Sequence, residues 1–281
     1  MATTQRFIGS RRATLVGIGV LAFLCAWVLG LDPRRLFEGG SLALVGDFFA
    51  AAFRPAMDYE KPVDGAAPFL LVAMGSVVNT LRFAVMGMTA AVPCAVILTL
   101  FASTAWWPDL DGHPMLRAVL RSTYIASRAL MAFARSIHEL IWGLLFITAV
   151  GLSSEAAVIA VAIPYSGILA KIYSEMLEEH SRDARDALVA VGAGNLIGFL
   201  VGLVPRALPD LVSYTFYRFE CALRTAAVFG FIGIETIGYR IRLSSDEFHY
   251  REIWTYLYLL FALVALIEWW GASVRRRLQP G

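Results

Sequence analysis

The sequence predicts an all-α membrane protein with about six transmembrane helices. Hydrophobic residues make up 58% of its 281 residues and charged residues only 16%, whereas a soluble domain is about half apolar and a quarter charged. The mean hydropathy is +0.66. The apolar residues form long runs suited to crossing a bilayer, and no polar block large enough to fold alone separates them. We therefore predict a single membrane domain over residues 1–281.

The first three predicted spans cover residues 13–31, 76–104 and 136–152. No small-residue cleavage site follows the first run, which is therefore predicted to stay as a helix and not to be removed as a signal peptide. A short amphipathic helix is expected at 42–53. Residues 115–134 carry arginines at helical spacing, which fits either a helix in the membrane interface or the polar face of a bundle helix.

The remaining spans are predicted at residues 155–172, 208–232 and 252–271. The strongly charged stretch from Lys171 to Asp186 cannot lie in hydrocarbon, so we expect an exposed loop there. Arginines precede the first span and follow the last, and the positive-inside rule therefore places both termini in the cytoplasm. This orientation requires an even number of spans and puts residues 171–207 on the cytoplasmic side.

The motifs of several other protein classes are missing from the sequence. The four histidines are scattered and form no metal-binding motif, which disfavours an intramembrane enzyme. No Walker A sequence occurs, and no basic patch interleaved with aromatic residues indicates nucleic-acid binding. The three cysteines lie in apolar stretches and are predicted to be small buried residues. A channel or scaffold subunit stays open as an alternative.

The charged stretch leads into a spaced motif formed by Asp186, Ala187, Gly192 and Pro205. This spacing resembles the EAA loop of ABC importer permeases, in which a short helix between two spans docks on a soluble ATPase. The resemblance implies a cytoplasmic coupling loop at about 176–205. Glycine permits a close turn and proline ends the connection before the next span. Three positions depart from the family pattern: Asp186 replaces Glu, Leu188 replaces the second Ala, and Gly202 replaces Ile.

A wider stretch, from about Arg135 to Gly238, resembles the phosphonate-transporter permease family. The shared features are the segment 135–142, Lys171 with the acids that follow it, and Tyr-Arg-Phe-Glu at 217–220 followed by Arg224. The resemblance implies the type I ABC importer permease fold, with its core at about 76–272, in a bacterial inner membrane.

The same resemblance implies a set of partners and a cargo. It implies a second permease, identical or homologous, two ATPase subunits that bind ATP and magnesium, and an external solute-binding protein. The implied cargo is phosphonate, phosphite or a related oxyanion, with another small solute as the alternative. No cofactor is expected on this chain itself.

Six side chains on two predicted helices are candidates for a translocation pathway: Arg135, Glu139, Tyr217, Arg218, Glu220 and Arg224. In each helix an acid and an arginine lie four residues apart and can meet on one face. Tyr217 shares the second face, whereas Arg218 points well around the helix. The arginines could attract an oxyanion during transport, or the pairs could be structural salt bridges, and both hypotheses stay open.

Gly233, Glu235 and Gly238 are candidate residues of an outer gate. The family has alanine and two glycines where this chain has Ile234, Glu235 and Thr236, which suggests that the chain is one half of a heterodimer. A surface carboxylate is the alternative for Glu235. For His138 we expect a hydrogen bond to the backbone at a helix end, with a proton relay as the alternative.

Overall fold

The computed structural model of the chain describes residues 2–31, 40–61, 65, 67–108 and 113–278. Within these residues every regular element is a helix. The chain divides into two compact units, Met1–Arg54 and Pro55–Gly281.

The first unit contains two helices, α1 from Ala2 to Val28 and α2 from Ser41 to Ala52. Within α1, residues 11–28 are long and apolar enough to cross a membrane. Large apolar side chains such as Trp27 point outward on α1, as expected for a helix in lipid. Helix α2 lies where the short amphipathic helix was predicted. Residues 32–39, which precede it, lie outside the described part.

The second unit is a series of helices joined by turns and loops. In chain order its helices are α3 Phe69–Ala102, α4 Pro114–Ser136, α5 Glu139–Val150, α6 Ser154–Glu179, α7 Asp183–Ala190, the short α8 Asn195–Ile197, α9 Val204–Val228, α10 Ile237–Asp246 and α11 Tyr250–Leu278. A π-helical turn, Gly198–Leu203, leads into α9, and a 3₁₀ turn, Phe229–Ile232, follows it.

Five helices in the described residues are long and apolar enough to cross a membrane. A sixth span results if α4 and α5, which are bent by 88° at a short break, together form one broken span. The predicted span at 136–152 is therefore only the second arm of this bent pair, and residues 115–134 form the first arm. The other predicted spans overlap α1, α3, α6, α9 with its 3₁₀ turn, and α11, and the first two extend two or three residues past the ends of α1 and α3.

Helices α3 and α6 form the centre of the second unit and share its largest interface. Small residues line this interface and let the two backbones approach closely, as is common between membrane helices. A Cβ added at Gly87 would lie 2.6 Å from a methyl group of Val161. The buried alanines of the two helices include Ala73, Ala84, Ala91, Ala95, Ala157, Ala160 and Ala170.

Residues 55–61 bind the first turn of α11. Ala56 N–H donates to the Arg251 carbonyl at 3.1 Å, and the Thr255 hydroxyl donates to the Ala56 carbonyl at 2.7 Å. The Glu60 carboxylate accepts the backbone N–H groups of Arg251 at 2.7 Å and Glu252 at 3.2 Å. These donors have no partner within their own helix, so an acid 191 residues earlier in the chain caps α11.

The cysteine prediction is wrong for two of the three residues. Cys25 and Cys94 are exposed and Cys221 is partly buried. A cysteine side chain is apolar enough to face lipid on a membrane helix, so it need not be buried in the protein. Within the described residues, no group of three or more His, Cys, Asp or Glu side chains is placed to hold a metal ion.

Candidate functional site

The α6–α9 connection, residues 180–203, lies at one end of the bundle. Asp186 and Ala187 are exposed on α7. Gly192 follows that helix with φ of +95°, a conformation that favours glycine. Pro205 lies in the first turn of α9, where its missing N–H removes no helical hydrogen bond. The turn and the helix start that the motif predicted are therefore both present.

Two glycines of the π-helical turn let α7 pack directly onto it. A Cβ at Gly202 would lie 2.9 Å from both the Cα and the backbone nitrogen of Arg185. A Cβ at Gly198 would lie 3.1 Å from a methyl group of Val189 and 3.2 Å from the Arg185 carbonyl oxygen. An isoleucine, as in the family pattern, does not fit at position 202 in this arrangement, which explains the departure seen in the sequence.

Arg185 joins the connection to the segment that follows α3, a role that no motif in the sequence predicted. Its guanidinium donates to the Trp107 carbonyl and to the Asn195 side-chain oxygen, each at 3.3 Å, and forms an ion pair with Asp186 at 3.3 Å. The side chain is only 14% exposed. The burial of this arginine on a short polar helix could not be recognised from spacing alone, because its contact with Trp107 joins residues 78 positions apart.

The charged stretch after Lys171 is not an exposed loop as predicted, since α6 continues through it to Glu179. Lys171 donates to Glu175 at 2.7 Å, one helical turn away. Arg128 of α4 forms ion pairs with Glu178 at 3.3 Å and with Glu175 at 3.9 Å. These pairs offset the cost of holding charges near the end of a membrane helix, so the helix can extend beyond the apolar run.

Arg135 and Glu139 do not meet on one helix face, because the helix breaks between them. Helix α4 ends at Ser136 and α5 begins at Glu139. His138 caps α5 through Nδ1, which accepts the Leu140 N–H at 3.3 Å. The expectation of a backbone-bonded histidine at a helix end is thus confirmed, whereas the predicted Arg135–Glu139 pair is wrong.

The second predicted pair is present on α9. Arg224 donates to Glu220 at 3.2 Å, and Tyr217 lies exposed on the same helix. Arg218 does not point away from Tyr217 as expected. Its guanidinium lies over the rings of Tyr214 and Tyr217, at 5.1 and 5.4 Å, and its Nε donates to the Tyr214 hydroxyl at 2.7 Å.

A cavity of about 420 Å³ lies between α4, α6 and α9. Its polar lining includes Arg135, Ser136, Lys171 and Arg218. Two of these cations were predicted as pathway residues, and Lys171 joins them because α6 is helical at this level. The remaining predicted pathway residues do not line this cavity. The six candidates therefore divide into Arg135 and Arg218 at the basic cavity, three residues on α9, and Glu139 at the start of α5.

The candidate gate residues lie at the opposite end of the bundle from α7. Gly233 has φ of +104°, and Glu235 is exposed and lies 4.0 Å from Arg240. Gly238 is the second residue of α10 and lies beneath the end of α9, where a Cβ would clash with the Ala227 carbonyl. Gly233 and Glu235 line a cavity of about 370 Å³ at this end.

Known proteins similar in sequence are transport permeases. The chain is 34% identical over 172 residues to HtxE of Stutzerimonas stutzeri, named as a phosphite transport system permease, in an alignment covering 61% of this chain and 66% of HtxE. It is 30% identical over 118 residues to PhnE2 of Escherichia coli K12, named as a cryptic phosphonate transport system permease. That alignment covers 42% of this chain and 97% of PhnE2. The chain belongs to the permease family of phosphonate and phosphite transport systems.

The permease also resembles PhnE of Mycolicibacterium smegmatis, named as a phosphate-import permease. The two are 26% identical over 253 residues, which is 90% of this permease and 43% of PhnE. The permease therefore spans just under two thirds of HtxE and less than half of this PhnE. No protein-family model matches the sequence.

Solved structures with a similar fold are transmembrane subunits of ABC transporters. An amino acid ABC transporter crystallised with histidines has a TM-score of 0.61 at 15% identity, over 75% of the permease and 99% of that chain. The MetNI methionine transporter in an inward-facing conformation also has a TM-score of 0.61, at 23% identity, over 76% of the permease and 100% of its own chain. The predicted type I ABC importer permease fold is thus confirmed.

Proposed function

We propose that this permease forms the membrane path of an ATP-driven importer and that a separate ATPase docks on the α6–α9 connection. The observation that carries this proposal is the packing of α7 on Gly198 and Gly202, which makes the connection a single rigid body. Asp186, Ala187 and Val191 leave an exposed surface on that body, with Val191 83% exposed.

A rigid connection suits the transmission of motion. Force applied to α7 reaches α9 through the π-helical turn, and it reaches the segment that follows α3 through the bond from Arg185 to Trp107. A flexible loop would absorb the same displacement. An ATPase that moves α7 would therefore move the inner ends of at least two spans together.

The proposed assembly contains a second permease, identical or homologous, a pair of ATPase subunits that hold ATP and magnesium, and an external solute-binding protein. It lies in a bacterial inner membrane with both termini of this chain in the cytoplasm. Support comes from the ABC transporter fold and from the arginines that flank the first and last spans.

The proposed cargo is a phosphonate, phosphite or related oxyanion. The names of the relatives support this class of cargo, and so does the excess of cations at the basic cavity. Another small solute is the alternative, because two structural neighbours are transporters of amino acids.

The proposed path runs along the α9 face that holds Tyr217, Glu220 and Arg224, and it includes Glu139 at the start of α5. Arg135 and Arg218 supply positive charge beside that path. Pairing of Glu220 with Arg224 would keep an anion from binding too tightly there. Gly233, Glu235 and Gly238 form the proposed outer gate.

The test replaces residues 183–194 with a flexible linker of equal length and asks whether an ATPase still co-purifies from native membranes. We expect a folded membrane protein that retains its elution volume in detergent and loses the ATPase. A matched control substitutes Phe248, an exposed residue at the opposite end, with serine and should retain the ATPase. Retention of the ATPase by the linker variant contradicts the proposal.

A further inference from the structure

Three basic side chains from three different helices line the basic cavity: Arg135 on α4, Lys171 on α6 and Arg218 on α9. We propose that this cavity is an oxyanion-binding site for phosphonate, phosphite or phosphate that is contained within a single permease subunit. The inference deepens the import function proposed above and rests on it. It adds Lys171 to the binding residues and gives a dimeric transporter one such site in each subunit.

The charges around the cavity are not balanced. Among the described residues that line it, none is a carboxylate. The Arg135 side chain has no ion pair or hydrogen bond within the part of the chain that the structure describes, and Arg218 has no carboxylate partner there. Uncompensated cations at the depth of membrane helices are costly and therefore point to a functional role. A bound anion is the simplest way to neutralise them.

Arg218 is held in a fixed position that leaves its binding atoms available. The Tyr214 and Tyr217 rings support the guanidinium plane, and the Tyr214 hydroxyl accepts from Nε. The two terminal nitrogens make no hydrogen bond within the described residues. A planar guanidinium with two free N–H groups on one edge matches the oxygens of a phosphonate or phosphate.

Lys171 carries its own counter-ion just outside the cavity. Its Nζ donates to Glu175 at 2.7 Å, and Arg128 also lies 3.9 Å from the Glu175 carboxylate. An oxyanion in the cavity would compete with Glu175 for Lys171, while Arg128 would remain as a partner for Glu175. Such competition gives weak, reversible binding, which transport requires.

The size and depth of the cavity fit a small anion entering from the aqueous path. Its volume of about 420 Å³ lies within the range of about 300–1,000 Å³ found for ligand pockets. Lys171 is about 12 Å along α6 from the end of that helix at Glu179, at 1.5 Å per residue. A phosphate group could also come from a lipid headgroup, so the test must separate a free oxyanion from a lipid.

The experiment measures ³¹P line broadening of methylphosphonate, and separately of phosphite, by the permease in nanodiscs of phosphatidylcholine. We expect broadening with the wild-type protein and an increase in dissociation constant of about ten-fold or more for Arg218→Gln, Arg135→Gln or Lys171→Gln. Arg121→Gln, on α4 but about 21 Å along the helix from Arg135, is the matched control and should bind as the wild type does.

Glu175→Gln is the decisive variant, because it should change oxyanion affinity in the opposite direction from the three cavity variants. Removing the counter-ion frees Lys171 and should tighten oxyanion binding several-fold, which loss of structure would not do. Absence of broadening with the wild type at millimolar ligand overturns the inference, and so does unchanged binding in all three cavity variants. Weaker binding in Glu175→Gln also contradicts it.

A second arm adds phosphatidylglycerol to the nanodiscs. Binding of methylphosphonate should persist there if the site takes a free oxyanion. Loss of that binding, together with native mass spectrometry that finds an anionic lipid on the wild type and none on Arg218→Gln, would assign the cavity to a lipid headgroup and overturn the inference.

Failure of this inference can be told apart from failure of the import function. Cavity variants that still co-purify with the ATPase and still take up oxyanion normally leave the import function standing and overturn the site. A wild-type permease that binds oxyanion but recruits no ATPase leaves the site standing and overturns the import function.

Discussion

Gly238 packs so closely under α9 that a side chain has no space there. A Cβ at Gly238 would overlap the carbonyl of Ala227, and a Cβ at Gly230 would overlap the backbone of Tyr239. Of the two glycines predicted for the gate, only Gly233 has a positive φ. Position 238 therefore requires a residue without a side chain because of the close packing, and not because of an unusual backbone φ.

We expect Gly238→Ala to destabilise the permease by at least about 2 kcal/mol, because the added methyl group forces α10 away from α9. Thermal unfolding in detergent, followed by tryptophan fluorescence, measures the change. Gly75→Ala is the matched control, since a Cβ on this helical glycine meets nothing within 4 Å. It should leave stability unchanged or raise it by up to about 1 kcal/mol. Equal effects of the two substitutions would contradict this account of Gly238.

The Glu220–Arg224 pair distinguishes a structural role from a transport role. Its arginine is 57% exposed and its glutamate 18% exposed, so the pair should contribute less than about 1 kcal/mol to stability. We expect the double variant Glu220→Gln/Arg224→Gln to unfold within a few degrees of the wild type while its phosphite uptake falls several-fold. Uptake into proteoliposomes with the partner subunits tests this, and normal uptake in the double variant would assign the pair to structure alone.

At the scale of whole elements, the break between α4 and α5 could not be predicted from the sequence. Residues 136–138 are Ser, Ile and His, without the proline or glycine that usually marks a sharp bend. The bend is stabilised by contacts from elsewhere: the Trp142 indole donates to the Ala134 carbonyl at 3.2 Å across the break, and α4 packs closely on Gly167 of α6. The arginine spacing along α4 was recognised, but the pairing of Arg128 with Glu175 and Glu178 was not.

The same limit applies to the charged end of α6. Composition alone indicates a loop there, because unpaired charges do not enter membrane helices. The structure supplies pairing from Arg128, 47 and 50 residues away from its partners Glu175 and Glu178. Spacing within one helix predicted the Glu220–Arg224 pair correctly, whereas pairs between helices depend on packing that the sequence does not display.

For the α6–α9 connection we expect Gly202→Ala to weaken association with the ATPase. The new methyl group would push α7 away from the π-helical turn and loosen the exposed surface that carries Asp186. Gly194→Ala is the matched control, since that position has open space around it and an ordinary φ. Co-purification yield and ATP hydrolysis by the complex measure the difference. Equal yields for the two variants would show that rigidity of the connection is not needed.

At the scale of the molecule, the orientation of the bundle is tested by cysteine accessibility. Val191 and Glu235 lie at opposite ends of the bundle, and both are well exposed. The Val191 residue is 83% exposed, and the Glu235 side chain is 72% exposed. In a background without the three native cysteines, we expect a membrane-impermeant maleimide to label Glu235→Cys in intact cells. Val191→Cys should react only after the cells are permeabilised. The reverse pattern would overturn both the topology and the docking of an ATPase on α7.

Most of the architecture could be predicted because apolar runs of membrane length are a strong signal. Helix positions, the helix start at Pro205 and the turn at Gly192 follow from local chemistry that the sequence displays. The basic cavity could be predicted only in part, since Arg135 and Arg218 were recognised as polar residues in spans while Lys171 was assigned to a loop. What brings the three together is the crossing of α4, α6 and α9, which no local pattern encodes.

The capping of α11 by Glu60 has a consequence for biosynthesis. Glu60 precedes its first amide donor by 191 residues, so residues 55–61 cannot take their described position until the first turn of α11 has been synthesised. In a nascent chain that has not yet reached α11, water must solvate the Glu60 carboxylate instead of the helix amides.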